Sequence, residues 1–404
     1  MNAVGEVLAA PPGGAVPPWP RDDRRPRVLV VSGSVGAGHD GAANELAARL
    51  ATAGAEVVVR DFLAAVPGAA AHLLREGYTG TVTHVPLAFE FLFRRLERRA
   101  LCWQAERVIC ARAQRTVAAW AAGLRADVVV STYPLASQTL GELRAAGRLP
   151  ATVITYLTDP AAHVSWVHPA VDRHLTVTAA TAAQGAADYG LPFTVAGPLV
   201  PARFSSLPSP DRLAAVREAL ALPRDRPVAL LVGGSLGLGD VVRTARAVAA
   251  AGLTPLVLCG RNDRLRRSVA RDPRAVALGW RTDVHLLMHL ADVLVQNAGG
   301  LSFTEALVAG LPTVTYRPIP GHGRANAGVL DAAGLAPWAR TPEQLTASLH
   351  AAVGRARPVP ALPDPARLVL AAAVAAPGGP ASGGPASGHP VPADQVLSGR
   401  APRH

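Results

Sequence analysis

A glycine-rich turn directly after an unbroken apolar run occurs twice in this chain, once in each half. The first copy reads Gly33-Ser34-Val35-Gly36-Ala37-Gly38-His39 and follows Val28-Leu29-Val30-Val31. The second reads Gly234-Ser235-Leu236-Gly237-Leu238-Gly239 and follows Val228-Ala229-Leu230-Leu231-Val232. Continuous apolar runs of this length are the pattern of strands covered on both faces, and helix-type sequence follows each turn. A strand, a glycine turn and a helix together bring the free backbone N–H groups of a helix N-terminus within reach of an anion or nucleotide. Two such units constrain the chain to two similar α/β halves with a cleft between them. Only the first copy ends in histidine, so chemistry is expected from the first half and donor binding from the second.

The rest of the chain agrees with this division. Strand-type runs at 28–32, 56–60, 127–132, 151–156 and 174–178 alternate with helix-length segments in the first half, and runs at 227–232, 255–259, 275–278, 293–296 and 313–316 do so in the second. Such alternation predicts parallel sheets with helices on both faces. The stretch from Gly197-Pro198-Leu199-Val200-Pro201 to Ser209-Pro210 breaks the periodicity and is read as the linker. The predicted organisation is a disordered extension at 1–26, a first domain at 27–200, a linker at 201–212, a second domain at 213–356, and a Pro/Gly/Ala-rich, mostly disordered tail at 357–404.

Composition narrows the partners. Half of the 404 residues are hydrophobic, enough for two ordinary cores. All 40 basic residues are arginine, and the net charge of +11 calls for nucleic acid, anionic lipid or a phosphorylated substrate. Aromatic residues are sparse and no nucleic-acid-binding signature is present, so no nucleic-acid partner is expected. Cys102, Cys110 and Cys259 lack metal-ligand spacing and suit a reducing compartment. No apolar run approaches the ~20 residues that span a bilayer, and no secretory signal pattern is found. A soluble or peripheral cytoplasmic location is expected. Segment 89–115 carries Phe89, Phe91, Leu92, Phe93 and Leu96 beside Arg94, Arg95, Arg98, Arg99, Arg107, Arg112 and Arg115. As a helix it would be basic and amphipathic, either a membrane-surface element or a domain helix with a solvated arginine face.

Four clusters carry the candidate chemistry. His39 stands at a strand-to-helix turn, where imidazole either caps the helix or takes a proton from an acceptor hydroxyl. Thr158-Asp159-Pro160-Ala161-Ala162-His163-Val164-Ser165-Trp166 follows a strand and so lies at the carboxyl edge of the sheet, where ligands bind in such folds. There Asp159 orients the base or binds an acceptor hydroxyl, and His163 and Trp166 line an acceptor pocket, or the stretch is ordinary turn chemistry with a packed tryptophan. In Gln296-Asn297-Ala298-Gly299-Gly300-Leu301-Ser302-Phe303-Thr304-Glu305 the paired glycines allow a diphosphate close to the helix amides. Glu305, one turn further in, accepts bonds from ribose hydroxyls or is merely solvated. Gly279-Trp280-Arg281 either reads a nucleobase edge or places Trp280 in the core.

Together these residues resemble the nucleotide-sugar glycosyltransferases with two Rossmann-like domains (the GT-B type). The nearest group is the monogalactosyldiacylglycerol synthase family, related to the transferase that adds N-acetylglucosamine to lipid precursors of peptidoglycan. The resemblance runs from about Arg27 to Ala336. It rests on Ser34-Val35-Gly36-Ala37-Gly38-His39 followed by Ala42-Ala43, on Thr158, Asp159, His163, Trp166 and Asp172, and on Gly233-Gly234-Ser235, Cys259-Gly260-Arg261-Asn262, Gly279-Trp280 and Gly299-Gly300 with Glu305.

The resemblance implies an α/β fold of GT-B type and inverting transfer of a hexose from a UDP-sugar to a lipid hydroxyl, of the diacylglycerol type, at the cytoplasmic membrane face. It implies His39 and Asp159 as catalytic residues, and Gly36, Gly38, His163 and Trp166 on the acceptor side. Gly234, Ser235, Gly260, Asn262, Trp280, Arg281, Gly299, Gly300, Glu305, His322 and Asn326 then bind the donor. No cofactor beyond the co-substrate and no metal are expected, because there is no Asp-x-Asp motif and helix-terminus amides with arginines can stabilise a leaving diphosphate. Segment 89–115 would dock on an anionic membrane. One stretch departs from the family. Where the family commonly has Pro-Gly-Gln-Glu before an asparagine, this chain has Pro320-Gly321-His322-Gly323-Arg324-Ala325-Asn326, which leaves the sugar open. A transferase acting on a soluble natural product, a non-catalytic nucleotide-binding relative and a sugar-nucleotide epimerase are the alternatives.

Overall fold

The computed structural model describes residues 24–68, 70–72, 74, 101–234, 237–355 and 361–375. The first half contains β1 (Arg27–Ser32), α1 (Ala37–Thr52), β2 (Glu56–Asp61), α2 (Leu101–Leu124), β3 (Val128–Ser131), α3 (Pro134–Ala145), β4 (Thr152–Tyr156), β5 (Arg173–Thr176), α4 (Ala179–Tyr189) and β6 (Phe193–Val195). Its strands form one sheet in the order β2-β1-β3-β4-β5-β6, every pairing parallel. Alternate residues of the apolar strands feed two cores. Leu29, Val31 and Val129 pack with α2 and α3 on one face, and Val28, Val30, Val128 and Val130 pack with Leu46 and Leu50 of α1 on the other.

The second half contains α5 (Pro210–Ala219), β7 (Val228–Val232), α6 (Val241–Ala250), β8 (Thr254–Leu258), α7 (Asp263–Val269), β9 (Val276–Leu278), α8 (Val284–Leu290) and β10 (Val293–Gln296), then α9 (Gly300–Ala309), β11 (Thr313–Tyr316), α10 (His322–Ala332), β12 (Trp338–Ala339) and α11 (Pro342–Ala352). The sheet order is β12-β11-β10-β7-β8-β9, again all parallel. Each half is therefore a doubly wound α/β unit, as the alternation of runs predicts. Strands β6 and β12 had no counterpart among the sequence expectations. They are three- and two-residue edge strands, too short to show a hydrophobic period.

The chain crosses between halves after β6, where the Tyr156 hydroxyl donates to Gly197 O (2.8 Å) and accepts from Leu199 N (3.0 Å). The C-terminal region then returns to the first half. Within the stretch expected to be mostly disordered, Pro365–Ala375 forms a helix, α12. Its Ala366, Val369, Leu370 and Ala372 join the core cluster of Val28, Leu46, Leu50 and Ile154. Arg49 of α1 ties the crossing together, with Nη1 on Asp364 Oδ1 at 3.1 Å and Nη2 on Val200 O at 2.6 Å. Gly197 has φ +65, and a Cβ there would lie 2.4 Å from Pro363 O, so only glycine lets the two strands of linker pass.

Candidate active site

In both sheets the strand order reverses at one place, between β1 and β3 and between β7 and β10. Loops leave these strands in opposite directions, which opens a crevice at the carboxyl edge. The turn after β1 carries Gly36 and leads into α1, whose first turn holds Gly38 and His39, and the turns after β7 and β10 carry Gly233, Gly234, Gly237 and Gly239, and Asn297 and Gly299. Asn297 Nδ2 donates to Leu238 O (2.9 Å) and holds the latter two turns together. The crevices face each other across one cavity of about 460 Å³. Gly36 and Gly38 line it from the first half; Gly234, Gly260, Trp280, Arg281, Gly299, Gly300, Glu305 and His322 line it from the second. Ser235 lies outside the described residues.

Three helix N-termini open on this cavity without a side-chain cap. The N-cap residues are Gly36 for α1, Gly299 for α9 and Gly321 for α10. By contrast, Thr178, Ser209 and Thr341 cap α4, α5 and α11 through their side chains. A glycine N-cap has no side chain to cap the helix, so the positive end of the helix dipole faces the cavity, where an anion is favoured. Beside them Ala298, a non-glycine residue, is held at φ +69. Such a conformation costs on the order of 1 kcal/mol and persists only where surrounding contacts impose it. One such contact is Asn326 Nδ2 on Ala298 O (3.1 Å).

His39 follows the cavity-lining glycines and is half-buried; the loop before it, rather than the ring, forms the wall. Its ring lies 5.2 Å from that of Tyr133 and 5.8 Å from that of Trp166. Nδ1 is 2.8 Å from Thr132 O and 3.2 Å from Thr158 Oγ1. A carbonyl only accepts, so Nδ1 carries the proton and Nε2 the lone pair. Burial lowers the imidazole pKa against the opposing pull of Asp159, the Thr132 carbonyl and Asp40. A neutral ring with a basic Nε2 is the form a proton acceptor needs.

Asp159 does not line the cavity. Its Oδ2 accepts from Trp166 Nε1 (2.9 Å) and lies 3.6 Å from His163 Nε2; its Oδ1 accepts from Asn326 Nδ2 (3.2 Å). Burial alone would raise its pKa, but the hydrogen bond to His163 and the neighbouring His322 and His39 hold the carboxyl well below the usual range. A charged carboxylate so placed acts on His39 through its charge, without a hydrogen bond to the ring. Trp166 is fully buried and His163 nearly so, and neither lines the cavity. Their expected place on an acceptor wall gives way to packing around Asp159, because the Trp166 ring fills the space beneath His39.

On the donor side, Trp280 is half exposed on the cavity rim with the Arg261 guanidinium 4.7 Å from its ring centroid, so it is not a core residue. Arg281 lines the cavity and forms two hydrogen bonds with Asp283. Glu305 is carried up to a pKa of about 8 by burial, with Arg203 opposing. His322 lines the cavity at the start of α10, and burial lowers its pKa against the pull of Asp159. A Cβ at Gly323 would sit 2.4 Å from Ile319 Cγ1, so this loop has no room for the second residue of the family's Gln-Glu pair.

Two expected donor residues are elsewhere. Asn262 Oδ1 caps α7 by accepting from Leu265 N (2.9 Å). Asn326 is wholly buried and joins the halves, with Oδ1 accepting from Ala161 N (3.0 Å) and Nδ2 donating to Asp159 and Ala298. The family resemblance implied a donor contact for Asn326, but both of its amide atoms are satisfied across the interface. Gly300 serves the same interface, since a Cβ there would lie 2.0 Å from Thr158 O.

Arg203 and Phe204, in a short 3₁₀ turn of the linker, also line the cavity, as does Asn297. Sequence reasoning did not single out Arg203, which lies in a proline-broken stretch without period. Of segment 89–115, residues 89–100 lie outside the described residues. Arg107, Arg112 and Arg115 project from α2 as exposed residues. Among the described residues, no helix is long and apolar enough to cross a membrane.

Two facing doubly wound units, a cleft at their switch points and a C-terminal helix returned to the first unit define the GT-B fold. Solved structures of that class agree. The chain resembles a glycosyltransferase from Rickettsia africae at a TM-score of 0.50 and 12% identity, over 87% of this chain and 93% of that one. It resembles the glycotransferase of kitacinnamycin at a TM-score of 0.51 and 18% identity, over 82% and 91%. Residues 39–193 match the family described as Monogalactosyldiacylglycerol (MGDG) synthase. Over 235 residues the chain is 25% identical to the processive diacylglycerol beta-glucosyltransferase of Bacillus thuringiensis, and likewise to that of Bacillus cereus. That match spans 56% of this chain and 59% of the relative, so the chain spans about six-tenths of the length of these curated relatives.

Proposed function

We propose that this chain is an inverting glycosyltransferase that moves a hexose from a UDP-sugar to a lipid hydroxyl of the diacylglycerol type. The observation that carries the reading is the pairing of His39, with its proton on Nδ1 and its lone pair on Nε2, with the uncapped N-termini of α9 and α10 across the cleft. The lipid acceptor is supported by the relatives' names, which specify diacylglycerol.

In this mechanism His39 Nε2 takes the proton from the acceptor hydroxyl. The oxygen bonds to the anomeric carbon from the side opposite the diphosphate, and the bond from that carbon to the diphosphate oxygen breaks. The electron pair leaves with the diphosphate, which the positive N-terminal ends of the α9 and α10 dipoles receive, with Arg203 and Arg281 adding positive charge. Asp159 stabilises the imidazolium formed at His39. Glu305 binds ribose, Trp280 the base, and His322 the sugar end of the donor. No metal is assigned a step. The arginines of α2 and the net charge of +11 favour an anionic membrane surface on the cytoplasmic side, with segment 89–115 docked on it.

The test is transfer from radiolabelled UDP-hexoses to diacylglycerol in anionic liposomes, compared with His39→Ala. Wild type should yield a labelled glycolipid. The variant should lose on the order of 10²–10⁴ in rate, the usual contribution of a positioned base, while UDP affinity is kept. UDP binding without product from any donor would overturn the lipid acceptor.

A further inference from the structure

The two sides of the cleft meet through one buried carboxamide. Asn326 stands in the second turn of α10, in the second half, and is wholly buried. Its Oδ1 accepts from Ala161 N of the first half (3.0 Å), and its Nδ2 donates both to Asp159 Oδ1 (3.2 Å) and to Ala298 O (3.1 Å). An asparagine amide carries two N–H donors, so both bonds form at once. One side chain thus joins the turn that opens α9 to the loop that carries Asp159.

That loop is held from both halves. From its own half, Thr181 Oγ1 of α4 donates to Pro160 O (2.7 Å), and Gln184 of α4 bonds Ala162 N (2.8 Å) and Ala162 O (3.0 Å). Asp159 Oδ2 is held there too, by Trp166 Nε1. Asp159 Oδ1 and Ala161 N are tied to the second half instead, through Asn326. Thr158 is pressed by that half as well, since its carbonyl oxygen leaves no room for a Cβ at Gly300, and its Oγ1 lies 3.2 Å from His39 Nδ1. On its other side Asn326 ties Ala298, the residue at φ +69 that leads into Gly299, the N-cap of α9. A non-glycine residue stays in the left-handed region only while such contacts impose it.

Charge makes the position of this loop matter. His39 is faced by Asp40 from its own helix, by Asp159 and His163 from the loop, and by His322 from α10. Of the charged groups, Asp159 does most to favour the protonated ring. A Coulomb effect falls with distance, so it depends on where the carboxylate is held.

We propose that Asn326 is a positioning residue for the transfer, fixing the turn assigned above to the diphosphate to the carboxylate that faces His39, so that base and leaving group keep one relation across the interface. The proposal rests on the reading of His39 as the base. Asn326 does not line the cavity and acts through Asp159 and Ala298.

The test compares the full chain with Asn326→Leu, which keeps the bulk and removes all three bonds. The kcat for transfer from UDP-hexose to diacylglycerol in liposomes should fall about 10²-fold, the cost of a misplacement of about 1 Å. UDP affinity should be kept, because Asn297 still holds the donor turn on Leu238 O. With Asp159 released, the His39 ring, followed by NMR titration, should protonate at a lower pH, and the acid limb of the rate profile should move down with it. Asn326→Asp keeps an acceptor for Ala161 N and sets a second carboxyl against Asp159. Two carboxyls so close retain one proton between them, which restores a donor, so the rate relative to wild type should recover as pH falls. Thermal melting reports on the fold, and if Asn326→Leu does not fold, Asn326→Asp carries the test alone. An unchanged kcat, a His39 titration that does not move, a loss wholly in UDP affinity, or no recovery of Asn326→Asp at low pH would overturn the positioning. The two readings fail separately. Wild type that transfers no sugar to lipid from any UDP-hexose would sink the enzyme reading, and the His39 titration in Asn326→Leu would still decide the positioning.

Discussion

Burial sets the proton on Glu305. At a pKa of about 8 the side chain is a neutral acid at pH 7, able to donate one hydrogen bond and accept another on a ribose. As pH rises through that value a carboxylate appears in the cavity proposed above to receive the diphosphate. UDP affinity should therefore fall from about pH 7 to about pH 9, and Glu305→Gln should remove that fall in isothermal titration. Stability follows the same sign. The folded pKa lies above the unfolded value of about 4.3, so the contribution is fully present below that value and is lost as pH rises through about 8. Melting temperature measured across this window should decline less in Glu305→Gln than in wild type. The same competition acts on His39, where burial wins and keeps the ring neutral, and on Asp159, where the surrounding imidazoles win and keep the carboxylate charged.

Helix α9 shows what an element adds to its residues. Its two leading glycines look alike in sequence and do different things. Gly300 faces the other half, where a Cβ would meet Thr158 O at 2.0 Å, whereas nothing lies within 4 Å of a Cβ at Gly299. Gly300→Ala should drive the halves apart and cost about 1–3 kcal/mol, the range of overpacking in a tight contact. Gly299→Ala, at an N-cap with φ −73 and ψ 137 that any residue adopts, should stay within about 0.5 kcal/mol. Differential scanning calorimetry of the two variants checks the contrast. One turn of α1 meets the same helix, with Gly38 and Gly41 against Leu301, so small residues at both helix starts set how closely the two halves approach.

At the scale of the molecule, the return of α12 makes the first half depend on the end of the second. Ending the chain at residue 355 would remove α12 and bare the cluster around Val28, Leu46 and Leu50. Each large apolar side chain withdrawn from that core is worth about 1.5–3 kcal/mol, so Val369 and Leu370 alone make the loss several kcal/mol. The truncated chain should melt at a lower temperature in the transition reported by Trp166, while UDP still binds the second half. Arg49→Ala should reproduce a weaker form of the same loss, since it unpins Asp364 and Val200 from α1.

By itself the sequence determined the two α/β halves, their parallel sheets and the placing of both glycine turns, because apolar period and turn chemistry are local properties. It also placed most of the cavity lining, since residues just after a strand must fall at the sheet's carboxyl edge. Only tertiary structure decided that Asn326 is an interface residue, that Trp166 and Asp159 stand behind His39, and that Arg203 enters the cleft from the linker. Each depends on which surfaces meet between segments far apart in the chain, and no local pattern encodes that. The helix α12 was hidden for the same reason. Its alanine-rich sequence sits among proline and glycine, and only burial against the first sheet supplies the free energy that keeps eleven residues helical.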